Sequence, residues 1–283
     1  MGIFKMKINY MISLISNILH ILKWRYTHHG FQSMWTASKT FFLNGIRKLQ
    51  NAVLPPVVEC PCCGWKGYGF RYLDCGWFIV PQVECPACRG HERHRFFTLF
   101  LQRTPPSFLK EHQNIKKILH FAPEHHFRKI LENSGNLFLF STDYSPSALQ
   151  NINQPRFTAD IHNLPLKDGC FEGIVCLHVL EHVRNDRKAL TELERILSPE
   201  GELLLMVPFM MDQKETIEYG APRPDIFDHV RGYSPLDFKD RLCIFDYEEI
   251  KPGKILNPDE IAKYKIPDSQ ILYLCKKKSK SIL

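Results

Sequence analysis

The sequence predicts an α/β protein: a mostly parallel sheet built from βαβ units, preceded by a small four-cysteine module and a basic helical front end. Three observations carry this expectation. From residue 116 onward, short apolar runs alternate with stretches of helical periodicity, the pattern of parallel strands joined by helices. Two Cys-x-x-Cys pairs stand ahead of that region, at Cys60/Cys63 and Cys85/Cys88. Charge is also unevenly placed. The 283 residues include 37 basic and 30 acidic side chains, a formal net charge of +7, yet no acidic residue precedes Glu59. Lys5, Lys7, Lys23, Arg25, Lys39, Arg47 and Lys48 account for the excess, so the remainder is formally neutral. A neutral body argues against nucleic-acid binding through a global positive field. With 44% apolar and 24% charged residues, the chain is neither disordered nor a polytopic membrane protein.

Residues 1–55 read as a basic amphipathic helical segment. Met11, Ile12, Ile15, Ile18, Leu19 and Leu22 recur at helical spacing, and Phe41, Phe42, Ile46 and Leu49 repeat the theme beside Lys39, Arg47 and Lys48. Asn9, Ser13, Ser16, Asn17, His20 and Lys23 interrupt the first run, which therefore falls short of the roughly 20 unbroken apolar residues of a bilayer span. Lys5 and Lys7 before an apolar stretch suit a signal peptide, but no small-residue cleavage site follows. Two fates fit the apolar faces: peripheral contact with an anionic membrane, or packing on protein, the commoner fate of such a face.

Residues 56–103 read as a zinc-ribbon-like module and a connecting helix. Cys60 with Cys63 and Cys85 with Cys88 have the spacing of two metal knuckles, separated by 21 residues. Four thiolates make a closed tetrahedral Zn2+ site that is structural, not catalytic. Gly64 and Gly90 are placed to supply positive φ after each knuckle. Paired knuckles without a convincing export signal favour metal over disulfides. The cluster from Arg89 to Arg95 then offers either a phosphate or RNA grip, or internal pairing with nearby carboxylates; the apolar run 96–101 continues it as a helix.

Thr104-Pro105-Pro106 marks a linker, and 104–283 is the α/β domain. Strands are expected at 116–121, 137–142, 157–160, 173–177 and 202–207. Helices are expected at 124–133, from 145 and at 184–196, with Ser198-Pro199-Glu200-Gly201 ending the last. Open α/β sheets bind ligands beyond the carboxyl ends of their strands. Ala122-Pro123-Glu124, Asp143 and Asp160 occupy those positions after the first three strands. A carboxylate after the second strand suits ribose hydroxyls, and one after the third suits an adenine amino group. Asp143 could instead cap the helix at Ser145.

Residues 158–175, His178-Val179-Leu180-Glu181-His182 and 197–201 resemble the class I S-adenosylmethionine-dependent methyltransferases of the type 11 group. They follow that group's D-x-x-x-L-P-x-x-D-x-x-F-D, H-V-L-E-H and L-x-P-G-G pattern, with Glu172 and Glu200 as mild departures. More narrowly, the chain resembles a bacterial branch with an N-terminal four-cysteine zinc module. That branch has C-P-x-C-x-x-x-E-R-H-R, A-P-E and D-H-V-R-x-Y, which occur here as 85–95, 122–124 and 228–233. The resemblance spans about residues 58–245. It implies a Rossmann-like fold with a seven-stranded, mostly parallel sheet, helices on both faces, and S-adenosyl-L-methionine as cofactor. It further implies that Ala122 and Glu124 face the methionine end, Asp143 the ribose, and Asp160 with Ile161 the adenine, with His178 on the methyl-transfer side. The group's glycine-rich first turn is absent: the chain has His120-Phe121-Ala122-Pro123-Glu124-His125.

A hydroxyl acceptor would gain from a general base, for which His178, His182 and His229 are candidates beside the alternative of packed or surface histidines. Arg231 and Tyr233 follow a charge- and proline-rich loop at 210–228. They would either grip an acidic or sugar substrate or anchor that loop through Asp225 or Asp228. The expected activity is methyl transfer to a small molecule, glycan or lipid-linked acceptor. RNA methylation with the zinc module gripping RNA, and a non-catalytic methyltransferase-like scaffold, are the alternatives. Thiolate-bound zinc and cofactor supply point to the cytoplasm, with contact at the inner membrane face if the front end binds lipid.

Overall fold

The computed structural model describes residues 2–110, 114–132 and 136–278, without the side chains of residues 1–12, 14 and 15. The apolar-face assignments of Met11, Ile12 and Ile15 therefore lie outside the described side chains, as does residue 133 at the end of the expected helix. Two compact units form: one of residues 1–59 and 65–89, the other of residues 60–64 and 90–283.

In the first unit, α1 (Gly2–Val53) is a long helix interrupted at Gly30, whose φ of 77° and ψ of −178° are not helical. Glycine alone adopts that conformation freely. Two short antiparallel pairs follow: β1 (Val58–Glu59) with β2 (Lys66–Gly67), and β3 (Arg71–Asp74) with β4 (Ile79–Glu84). α1 meets this hairpin region through polar side chains. Asn44 donates to the Tyr72 carbonyl (3.0 Å) and accepts from its amide (2.8 Å), and Asn51 does the same with Gly69. Ser33, Thr36, Thr40 and Arg47 are buried on the same side. Of the fates open to the apolar residues of 39–50, packing on their own chain is not the one seen, since Phe41, Phe42, Ile46 and Leu49 are exposed; a second copy or a membrane surface is left. The amides of the helix complete backbone hydrogen bonds that an apolar face could not satisfy.

The second unit is built on a seven-stranded sheet. Its elements run α2 (Glu92–Arg103), β5 (Lys116–Phe121), α3 (His125–Glu132), β6 (Leu137–Asp143), β7 (Arg156–Thr158), β8 (Phe171–Leu177), α4 (Asp186–Ile196), β9 (Leu197–Met206), β10 (Ile217–Arg223), β11 (His229–Gly232), α5 (Phe238–Arg241), β12 (Phe245–Ile250), α6 (Pro252–Ile255), α7 (Pro258–Tyr264) and β13 (Leu272–Lys277). The strand order is β12-β13-β9-β8-β5-β6-β7. All pairings from β9 to β7 are parallel, and β13 is antiparallel to both its neighbours. The Rossmann-like fold class expected from the sequence is present.

Alternate residues of the central strands enter opposite cores. Leu119, Phe121, Ile174, Cys176, Leu203 and Leu205 join Ala189, Leu190, Leu193 and Ile196 of α4 on one face. Ile118, Val175, Leu177, Leu204 and Met206 join Phe96, Phe97 and Phe100 of α2 and Phe127 and Leu131 of α3 on the other. Burial on both faces explains the continuous apolar runs of these strands. It also explains why α2, expected with the zinc module, is grouped with the sheet: its phenylalanines are core.

Three local expectations change. The segment after Asp143 is a single 3-10 turn, Pro146–Leu149. Residues 198–201 do not end before a new strand but bulge within β9, since Phe171 pairs with Leu197 and Gly173 with Glu202. The loop at 210–228 contains β10, paired antiparallel with β11.

Candidate functional site

The sheet reverses its winding at β5, which pairs with β6 on one side and β8 on the other. Beyond the carboxyl ends of β5 to β8 lies a cleft of about 680 Å³ lined by Phe121, Ala122, Asp143, Tyr144, Ala159, Asp160, Ile161, His162, His178, Val179, His182, Val183 and Arg184. This is the position that the topology makes available to a ligand. Of the residues assigned to cofactor binding, Ala122, Asp143, Asp160, Ile161 and His178 line one cleft. Glu124 does not.

Ala122 ends β5 with φ of 43°, its amide donating to the Thr142 carbonyl at 2.9 Å. Left-handed backbone is rare for residues other than glycine. Alanine therefore makes this turn with the smallest side chain that has a Cβ. His178 ends β8 in the same manner, with φ of 56° and its amide donating to the Met206 carbonyl.

Asp143 accepts the Ser145 amide on Oδ1 at 2.7 Å, which orders the chain ahead of the next turn, but it is not the cap that the alternative supposed: the N-cap of Pro146–Leu149 is Ser145, without a side-chain cap bond. Asp160 accepts the His162 amide at 2.9 Å and lies 2.6 Å from its Nδ1. The Asn185 amide donates to Nε2 of the same ring, which leaves the proton on Nδ1, directed at Asp160. The backbone amide and then the imidazole of His162 hold the Asp160 carboxyl below its ordinary range.

Glu124 is held from α2. Arg93 donates to its two oxygens at 3.1 and 2.6 Å, and His94 Nε2 is 3.0 Å from Oε2. The His91 amide donates to His94 Nδ1, so Nε2 carries the proton. Burial pushes His94 down to about 4 despite the Glu124 bond. Burial opposes ionisation of Glu124, but the bonds from His94 and Arg93 outweigh it and hold the carboxyl well below its ordinary value. Arg95 is fully buried and donates to the carbonyls of Tyr264 and Lys265. The basic cluster thus pairs internally: Arg93 and His94 with Glu124 of the first turn, Arg95 with main-chain carbonyls and Arg89 with Glu84.

The histidine side of the cleft is equally tied down. His178 Nδ1 lies 3.4 Å from Glu181 Oε1. Burial would raise the Glu181 carboxyl, yet the His178 bond keeps it below its ordinary value. His182 and His229 rings meet edge to face at 4.8 Å. His229 lies outside the cleft lining, and burial lowers its pKa. The ligand atoms of Glu181, His182 and His229 lie within 4.8 Å of one another, a donor set that suits a divalent transition metal.

Arg231 anchors the 210–228 loop, as the second alternative supposed, but through Glu218 and not through Asp225 or Asp228. It is 3% exposed and donates to Glu218 and to the carbonyls of Leu180, Val183 and Arg184. Tyr233 donates to Asp186 at 2.8 Å and to the Leu180 carbonyl. Both therefore hold the turn that carries His182, while Asp225 pairs with Arg223.

At the first knuckle the Gly64 amide donates to the Cys60 carbonyl and Gly64 has φ of 75°. At the second, the Arg89 amide donates to Cys85 and Arg89 has φ of 65°. The left-handed residue is Arg89, not Gly90 as expected, because Arg89 is the residue directly after the second cysteine. The sulfurs of Cys60, Cys63, Cys85 and Cys88 lie within 4.8 Å of one another. Tetrahedral zinc with bonds of about 2.3 Å places thiolates about 3.8 Å apart, so this donor set fits that ion.

A family described as a methyltransferase domain matches residues 124–205, from the turn after β5 into β9. An uncharacterised protein of Methanocaldococcus jannaschii is 43% identical over 56 residues, 20% of this chain. The chain spans about a quarter of that curated relative, 24% of its length. Among solved structures, the YcgJ protein of Bacillus subtilis is 14% identical at a TM-score of 0.45, over 66% of this chain and 100% of that one. The 1,6-didemethyltoxoflavin-N1-methyltransferase of Burkholderia thailandensis, solved with 1,6-didemethyltoxoflavin and S-adenosylhomocysteine, is 12% identical at a TM-score of 0.42, over 59% and 72% of the two chains.

Proposed function

We propose that this protein is an S-adenosylmethionine-dependent methyltransferase acting on a small-molecule, glycan or lipid-linked acceptor. One observation carries the reading: Asp143, Asp160 and the left-handed backbone of Ala122 converge on a single cleft at the sheet's switch point. The match of residues 124–205 to a methyltransferase domain supports it.

The residues present fit the cofactor. The cleft is of the size that small-molecule sites take, about 300–1,000 Å³. Asp143 supplies an acceptor for ribose hydroxyls. Asp160 supplies one for an amino group, beside the apolar side chain of Ile161. Ala122 offers main chain with little side-chain bulk to the methionine end. Glu124 acts through the turn that Arg93 and His94 brace. Bound there, the cofactor would supply an activated methyl group on a sulfonium for an acceptor nucleophile. The protein's share is alignment and proton removal. His178 is oriented by Glu181. His182, which lines the cleft, is placed to take a proton from an acceptor hydroxyl, with His229 packed edge to face against it from outside the lining.

Arg93 and Arg95 are engaged inside the fold, which favours a small acceptor over RNA. Cys60, Cys63, Cys85 and Cys88 would hold Zn2+ in a closed structural site.

Titration calorimetry of the full chain with S-adenosylmethionine tests the reading. Micromolar binding that disappears in Asp143→Ala is expected. Absence of heat at millimolar ligand would overturn it in favour of a non-catalytic scaffold.

A further inference from the structure

Beyond Gly30, α1 has two faces of opposite chemistry. At about 100° per residue, Ser33, Thr36, Thr40, Asn44, Arg47 and Asn51 share one side, the side buried on or bonded to the hairpin region. Phe31, Trp35, Phe42, Ile46, Leu49 and Val53 share the opposite side and are 41% to 69% exposed. This inverts the usual arrangement, in which the apolar face is covered. A contiguous exposed stripe of this kind marks an interaction surface.

We infer that this stripe docks on an anionic lipid surface, with α1 lying in the membrane plane. Charge selects the occupant. No acidic residue precedes Glu59, and Lys23, Lys39 and Lys48 are exposed along the same helix. Anionic headgroups complement that field. A second copy of the same helix would bring like charges together. The side chains also suit the boundary between headgroups and acyl chains, where aromatic residues concentrate. Phe31 and Trp35 stack in the stripe at 6.5 Å, and Trp24 and Phe41 are exposed nearby on α1. Orientation follows from the opposite face. No helix among the described residues is long and apolar enough to cross a membrane. Asn44 and Asn51 hold the backbone of Tyr72 and Gly69, so a spanning helix would drag this polar region into hydrocarbon, at high cost. An in-plane helix buries only the stripe. The inference stands apart from the methyltransferase reading.

Co-sedimentation of the full chain with vesicles tests it. Binding to phosphatidylcholine–phosphatidylglycerol vesicles at low salt is expected, with much weaker binding to phosphatidylcholine alone and a loss as salt is raised. Tryptophan emission should shift to the blue on binding. Lys39→Gln with Lys48→Gln should weaken partitioning about 30-fold. Trp35→Glu with Leu49→Glu should abolish it while the melting temperature stays unchanged, since both positions are exposed. Sedimentation with neither vesicle would overturn the inference. So would equal binding by the glutamate variant. Reversible dimerisation that the same glutamate variant abolishes, without vesicle binding, would assign the stripe to a second copy instead.

Discussion

Ala122 and His178 stand at the ends of adjacent parallel strands, and each has a left-handed φ. Backbone conformations of this kind cost about 1–3 kcal/mol and collect at ligand sites. Here they fold the chain sharply back at the floor of the cleft. Alanine pays this cost with one methyl group. A β-branched residue would be in a genuinely unfavourable conformation and would place two more methyl-sized groups at the turn. Ala122→Val should therefore lower stability by about 1–2 kcal/mol in urea unfolding, and weaken S-adenosylmethionine binding in calorimetry more than it weakens the fold. Ala122→Gly should bind at least as well as the parent. Equal binding by the valine variant would show that the turn does not face the ligand.

At the scale of elements, the two cysteine knuckles repeat one geometry, with a left-handed residue after each second cysteine and an amide bonded to the first. Such small modules bury little apolar surface, so bound metal supplies much of their folding free energy. Purified protein is expected to hold one zinc per chain by elemental analysis. Removal by a strong chelator should lower the melting temperature, and Cys60→Ser or Cys85→Ser should reduce zinc content. Zinc at parent levels in both variants would rule out these ligands. The knuckles could be read from spacing, and the central strands from unbroken apolar runs. Asp143 and Asp160 could be read because a strand's carboxyl end can be counted along the chain. Long-range partners could not. Arg93 meets Glu124 and Arg231 meets the turn at 180–184 only through packing of elements distant in sequence, and an exposed and a buried arginine look alike in sequence. Helical periodicity located α1 but not its covered side, because Asn44 and Asn51 gain more from open backbone groups of the hairpin region than the apolar stripe could offer there.

For the whole chain, the buried histidines make stability depend on pH. His94 and His120 are lowered to about 4 and His91 to about 3, in each case first by burial, from an ordinary value of 6.5. The unfolded chain therefore binds more protons than the folded one between pH 6.5 and about 4, and stability must fall as pH drops through that window. Each histidine approaches a slope of about 1.4 kcal/mol per pH unit where it is charged only when unfolded. Glu124 acts in the same direction further down: its folded value is depressed from 4.5, so its contribution is lost as pH falls below that. His120 separates these effects from metal loss, since it lies in β5 with a buried Nδ1 that has no hydrogen-bond partner. His120→Leu removes one titrating group from an apolar strand without deleting a bond to that nitrogen. Urea unfolding at pH 7, 6 and 5, at matched zinc content, should show the parent losing stability toward pH 5 and the variant losing it with a slope smaller by about one proton. An unchanged slope would mean that His120 is already protonated in the fold, and that its burial does not govern its charge.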